Sequence, residues 1–210
     1  MARYTEAVCR LCRRDQKKLF LKGNKCNSEK CPVGKRAFAP GQHGPTKTRI
    51  KLSNYGLQLR EKQKVKRMYG VLEKQFRGYF ALASKSKGVT GKVLLQILER
   101  RLDNVIYRMG LGLSRNHARQ IVRNNFVQVN DRRVNIPSYQ IKTGDVVQIK
   151  AKEKNKKAFL DNLEMSKDRT VPSWLEFTAK DLKATVVRLP EKNDIQHPIE
   201  EQLIVEFYSK

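Results

Sequence analysis

The chain has 210 residues, 39% of them hydrophobic, and sets 45 Lys and Arg against 20 Asp and Glu, a formal net charge of +25. That length allows one large domain or two to three small ones with real cores, and so large a surplus of charge persists where a polyanion neutralises it. No apolar run approaches the roughly 20 residues that span a bilayer and no lipidation signal ends the chain, so nucleic acid rather than membrane lipid is the expected polyanion.

The opening MARYTEAVCRLCRR has no apolar stretch of the secretory kind, which predicts a reducing cytosol in which disulfides do not form. Charge is unevenly placed: residues 1–70 carry 19 basic and 4 acidic side chains, residues 85–133 carry 11 and 3, and residues 161–210 carry 7 and 10. A cationic front and middle with a mildly acidic tail predicts a directed binding face rather than a uniformly sticky surface.

All four cysteines fall early, as Cys9 and Cys12 with two residues between them and, thirteen residues on, Cys26 and Cys31 with four between them. Each short loop can close two thiolates onto one ion in tetrahedral geometry, which fits a zinc ribbon or knuckle. Four thiolates also suit an iron–sulfur cluster, although the compact ferredoxin spacings are absent, and the plain alternative is four free, partly buried thiols. Arg10, Arg13, Arg14 and Lys30 would temper the charge of such a site. In a segment too small and polar to build a core, a metal would supply the fold.

Residues 32–56, PVGKRAFAPGQHGPTKTRIKLSNYG, hold three prolines and four glycines and predict an extended basic loop, along which Lys47, Arg49 and Lys51 alternate. His43 has no carboxylate or second histidine near it in sequence, so a backbone-ordering or phosphate-contacting role suits it better than catalysis. Ser53 then caps a helix in which Arg60, Lys64 and Arg67 recur on one side, either as a solvated face or as an RNA-facing stripe. A second amphipathic helix, VLEKQFRGYFALAS, places Leu72, Phe76, Tyr79, Phe80 and Ala83 on a core-facing side.

Thr90 caps a longer predicted helix, GKVLLQILERRLDNVIYRMG, whose Leu94, Leu95, Leu98, Leu102, Val105 and Met109 form one buried face, with Arg101 and Arg108 on another. Gly110 and Gly112 end it, Ser114 caps the next, and Arg115, Arg119 and Arg123 repeat every four residues opposite Ile121 and Val122. Two helices joined tightly with arginines on the second suit a nucleic-acid backbone or groove. FVQVNDRRV, with a turn at Asn130-Asp131 and with Arg132 and Arg133 beyond it, and TGDVVQIKAK add strands, giving a compact α+β module.

The run ERRLDNVIYRMGLGLSRNHARQIVRNNFVQVNDRRVNIPSYQIKTGDVVQI resembles the small RNA-binding domain of the ribosomal S-four family. PGQHG, YGLQLREKQKVKRMYGVLEKQFRGYF and the closing LIVEFYSK extend the resemblance over nearly the whole chain. It implies an α+β, multi-domain fold. A four-cysteine metal-binding arm and basic loop would occupy residues 1–45, and a helical rRNA-binding domain residues 46–96, completed by 185–210. An inserted S-four-type α+β domain would occupy 97–160, and an acidic segment, 161–210, would pack back on the helical domain.

The implied function is that of a noncatalytic, primary 16S rRNA binder of the cytoplasmic small ribosomal subunit, which nucleates assembly of the subunit body and contributes to translational accuracy. The resemblance further implies contact with the neighbouring ribosomal protein S-five and with mRNA at its entry channel, the latter through Lys47, Arg49 and Lys51. It places Arg60, Lys64, Arg67, Arg101, Arg108, Arg115, Arg119, Arg123, Arg132 and Arg133 at the rRNA. Cys9, Cys12, Cys26 and Cys31 match a zinc-bearing subset of the family, since many relatives lack the quartet. Many relatives also have Asn-Gly where Asn130-Asp131 stands here, a mild change because both residues tolerate left-handed backbone.

Two other functions are weighed. An RNA-modifying enzyme with the same domain would need a catalytic domain, for which 161–210 is too short, and GVTGK at 88–92 has two residues between its glycines where a phosphate-binding loop has four. A nonspecific nucleic-acid-coating protein would explain the charge but predicts no preference for structured rRNA.

Overall fold

The computed structural model describes residues 4–45, 52–167, 169–195 and 197–209. In chain order its helices and strands are α1 (Cys9–Asp15), α2 (Pro32–Lys35), α3 (Asn54–Met68), α4 (Glu73–Lys85), α5 (Thr90–Glu99), α6 (Leu102–Arg108), α7 (Arg115–Arg123), β1 (Val127–Val129), β2 (Arg132–Arg133), β3 (Val146–Ile149), α8 (Glu153–Glu164), β4 (Leu175–Thr178), β5 (Lys183–Val186) and α9 (Glu201–Tyr208), with short 3-10 turns at Gly23–Cys26 and Lys192–Asp194. Among the described residues no helix is long and apolar enough to cross a membrane. The chain forms two compact units, one of Met1–Gly91 with His197–Lys210 and the other of Lys92–Gln196.

In the first unit, Ser53 opens α3 by accepting the Gly56 N–H on its hydroxyl at 3.2 Å, the cap its sequence position predicts. Val65 and Met68 point inward from α3, as do Phe76, Tyr79 and Ala83 from α4. From the far end of the chain, α9 closes this core: Ile204 is buried and the Tyr208 ring stacks on Phe80 at 4.6 Å. One carboxylate joins the three helices. Glu73 accepts from Lys62 at 2.9 Å, from Lys66 at 3.0 Å and from the Tyr208 hydroxyl at 2.8 Å. Burial alone would push this carboxyl up, but the three hydrogen bonds outweigh it and hold the group at about 2.

The second unit is built on a five-stranded antiparallel sheet of order β2-β1-β3-β5-β4. The register sets Val127 opposite Ile149, Val147 opposite Ala184 and Leu175 opposite Val186. All six are buried, in one hydrophobic cluster with Val105 and Ile106 of α6, Ile121 and Val122 of α7, Phe159 of α8 and Trp174. The β1–β2 turn has Asn130 and Asp131 at φ 47° and 64°, the left-handed pair that a two-residue hairpin needs.

Two expectations are corrected by the fold. The helix predicted from residue 91 to 110 is interrupted, because Arg101 takes extended backbone (φ −64°, ψ 135°). There the chain pairs across to residues 139–141 instead of with itself: Leu102 N–H donates to the Tyr139 carbonyl at 2.9 Å and Ile141 N–H to the Arg100 carbonyl at 3.0 Å. The apolar positions keep their helical phase through the break, so periodicity does not reveal it. The second correction concerns residues 161–196, expected to pack back on the helical domain. They lie in the second unit, since β5 is hydrogen-bonded to β3 within its sheet and residue 161 falls inside α8.

Candidate nucleic-acid interface

The sequence assigns binding cations to both units, and what decides their role is which are exposed and which are already used by the fold. In the first unit, Arg60 is exposed and donates to the Arg14 carbonyl at 2.9 Å. Arg67 reaches both oxygens of Asp15, at 2.9 and 3.0 Å. Burial raises the Asp15 carboxyl, and the neighbouring Arg67 opposes that shift. Lys64 is buried, pairs with Glu61 and donates to the Pro198 carbonyl at 2.9 Å. The stripe therefore ties α3 to the arm and to the C-terminal segment, and only Arg60 of the three offers an exposed side chain. Lys47, Arg49 and Lys51 lie outside the described residues.

Around the cysteines the arm is a folded segment. Cys9 and Cys12 sit on α1, Cys26 ends the Gly23–Cys26 turn, and Cys31 precedes α2. Cys12, Cys26 and Cys31 are buried and Cys9 is half-buried. The Lys22 N–H donates to Cys26 Sγ at 3.3 Å. Burial pushes the Cys12 thiol up to about 11, a backbone hydrogen bond from Leu19 opposes this, and Cys26, Cys9 and Cys31 raise it further. Cys26 is raised for the same main reason, with Cys31 and Cys9 contributing. Among the described residues no group of three or more His, Cys, Asp or Glu stands in an arrangement that could hold a metal ion. Four sulfurs are donors of the type a soft divalent cation prefers, but as they stand the described side chains do not surround a single ion.

The second unit contains two buried ionic clusters. Arg101 is 0% exposed and grips Asp103 through Nε and Nη2, at 3.0 and 2.7 Å. Arg119 approaches the same carboxylate at 3.5 Å. Beside them Arg108 grips Glu99 at 3.0 and 2.7 Å, Asn104 donates to Glu99 Oε2 at 2.7 Å, and Arg115 donates to Asn104 Oδ1 at 2.9 Å. Arg115 also lies 4.5 Å from the centre of the Tyr107 ring.

Arg101, Arg108, Arg115 and Arg119, all expected at the RNA, are therefore interior. Successive fourth residues of a helix advance about 40°, so Arg115 and Arg119 face inward while Arg123, two steps on from Arg115, has rotated out to solvent. Arg123, Arg132 and Arg133 are exposed, on the end of α7 and on the edge strand of the sheet. The outer side of α7 also presents Asn116, Gln120 and Asn124, spaced four apart, which a search for cations alone passes over. Asn130 and Asp145 pin the nearby hairpin: Asn130 Nδ2 donates to Asp145 Oδ1 at 2.8 Å and the Val146 N–H to Asn130 Oδ1 at 2.9 Å.

Comparison with known proteins places this geometry. The family model described as "Ribosomal protein S4/S9 N-terminal domain" matches residues 3–99, and the "S4 domain" model matches residues 100–147. Over all 210 residues, and over the full length of each relative, the chain is 57% identical to "Small ribosomal subunit protein uS4" of Acetivibrio thermocellus and 55% identical to the protein of the same name of Thermodesulfovibrio yellowstonii. It is also 57% identical to "Small ribosomal subunit protein uS4A" of Symbiobacterium thermophilum, again over both whole chains.

Proposed function

The chain belongs to the ribosomal S4 family, and on that premise we propose that it is a structural, noncatalytic constituent of the small ribosomal subunit, working in the cytoplasmic ribosome as a binder of 16S rRNA. The observation that carries this reading is the full-length likeness to small-subunit proteins. The exposed cations support it. Arg123, Arg132 and Arg133 are placed to displace counterions from an RNA backbone, while the amides of α7 suit the wide, shallow minor groove, where 2′-hydroxyls are displayed. A-form RNA hides its major-groove base edges, so selectivity comes from shape and phosphate placement. By holding converging RNA helices at fixed angles the protein nucleates assembly of the subunit body and contributes to translational accuracy. Neighbouring small-subunit proteins, notably S-five, are its protein partners, and Lys47, Arg49 and Lys51 meet mRNA at the entry channel.

The test is equilibrium binding of the full chain to a 5′-domain fragment of small-subunit rRNA and to a length-matched random duplex across a salt series. A preference on the order of 10³-fold that survives high salt is the expected result. Equal affinities falling along one salt slope would reduce the protein to a general polyanion binder.

Cys9, Cys12, Cys26 and Cys31 would hold Zn²⁺, which would cross-link the arm and displace the protons that burial holds on Cys12 and Cys26. An iron–sulfur cluster is the alternative. The chain freed of metal by chelator is expected to take up one equivalent of zinc with release of protons, and the Cys26→Ser variant to take it up far more weakly. Iron and sulfide in the freshly isolated protein would favour the cluster, and zinc uptake unaffected by Cys26→Ser would remove the quartet from consideration.

A further inference from the structure

The link between α6 and α7, residues 109–114, is short and its backbone runs against the body of the second unit. Gly110 has φ 81°, which favours glycine, and a Cβ there would meet Leu163 Cδ2 at 3.3 Å and Ser166 Cβ at 3.5 Å. At Gly112 a Cβ would come within 2.7 to 2.9 Å of Ala118, so α7 passes directly against this backbone.

The polar groups of the link are satisfied largely by side chains. Asn162 Nδ2 donates to the Leu111 carbonyl at 3.1 Å. Arg169 Nη1 donates to the Gly112 carbonyl at 3.1 Å and Nη2 to the Leu113 carbonyl at 3.1 Å. The same Nη2 reaches Ser166 Oγ at 3.0 Å, and the guanidinium lies 4.5 Å from the centre of the Tyr107 ring. On the other side the Leu113 N–H donates to His117 Nδ1 at 3.3 Å. Burial lowers the pKa of His117, which favours the neutral form needed to accept that bond. Three consecutive carbonyls thus end on two side chains from residues 162–169, a segment that neither family model covers.

We propose that Arg169, with Asn162, is a positioning residue for RNA recognition: it fixes the α6–α7 link by its carbonyls and so sets where the outer face of α7 presents Asn116, Gln120 and Arg123. This rests on the proposed binding of rRNA by that face. Arg169 is half-buried, its guanidinium is committed to carbonyls and a ring, and it acts through the link rather than on a phosphate. Its planar fork spans two carbonyls at once, a geometry that a lysine ammonium does not reproduce.

The full chain and its Arg169→Ala, Arg169→Lys and Asn162→Ala variants are to be titrated with the rRNA fragment and the random duplex over the salt series, with Trp174 fluorescence reporting that the second unit is folded. Both Arg169 variants are expected to lose on the order of tenfold in affinity for rRNA, with the salt slope and the duplex affinity unchanged, and Asn162→Ala to lose less in the same pattern. Wild-type affinity in Arg169→Lys would overturn the proposal, because charge alone would then suffice. So would a salt slope lowered by about one in Arg169→Ala, which marks a direct phosphate partner. Should Arg169→Ala not fold, Arg169→Lys and Asn162→Ala decide, and affinity like that of the parent in both counts against it. An unmodified chain without preference for rRNA would instead remove the underlying reading, and this inference with it.

Discussion

Glu99→Ala is expected to destabilise the second unit by about 3 to 5 kcal/mol. Glu99 is 1% exposed and is the carboxylate for Arg108, whose side chain is 2% exposed, so truncation leaves a guanidinium in the interior without its counter-charge. The same change removes an acceptor from Asn104, which in turn holds Arg115. Against a typical domain stability of about 5 to 15 kcal/mol the loss brings the unit close to unfolding at growth temperature. Trp174 makes the measurement selective, because it is the chain's single tryptophan and is fully buried in this unit. Urea titration followed by its fluorescence should show the midpoint fall sharply for Glu99→Ala, and fall much less when Glu99 and Arg108 are both replaced by leucine, which removes charge and counter-charge together. A shift under about 1 kcal/mol for Glu99→Ala would mean that water enters this cluster and that it is not a rigid support.

These pairs also mark where reading the sequence falls short. Local signals are legible: Ser53 and Ser114 cap their helices, Asn130-Asp131 turns its hairpin, and Phe76, Tyr79 and Ala83 of α4 and Ile121 and Val122 of α7 are buried, because each depends on neighbours within about four residues. Leu72, expected on the same core-facing side as Phe76, is exposed and Phe80 is half-buried. The partner of an arginine is not set by near neighbours. Arg108 meets Glu99 nine positions away and Arg119 meets Asp103 sixteen away, so a charged repeat cannot say on its own whether it faces RNA or a carboxylate. Nothing local marks the strands β4 and β5, for a related reason. Leu175–Thr178 and Lys183–Val186 are four residues each and joined by a turn with Leu182 at φ 50°, a conformation that no glycine or asparagine announces. The break at Arg101 was hidden because the pairing that causes it comes from residues 139–141.

The same distinction separates arginines that support the interface from those that form it. Removing Arg123, Arg132 and Arg133 together is expected to weaken rRNA binding by about 10²-fold or more near physiological salt and to lower the slope of log affinity against log salt by about 2 to 3, since each phosphate left without its cation accounts for about 0.7 to 0.9. All three are exposed, so the Trp174 unfolding midpoint should stay within about 0.5 kcal/mol of the parent's. Replacing Arg115 and Arg119 should do the reverse: both are buried, and their loss deprives Asp103 and Asn104 of partners, so stability falls first and binding only as its consequence. Asn116→Ala with Gln120→Ala supplies the third pattern, because amides release no counterions; preference for rRNA over duplex should narrow while the slope holds. A triple-arginine variant that keeps the parent's slope would place the RNA on another face of this unit, and the stripe of α7 would then be only a solvated surface.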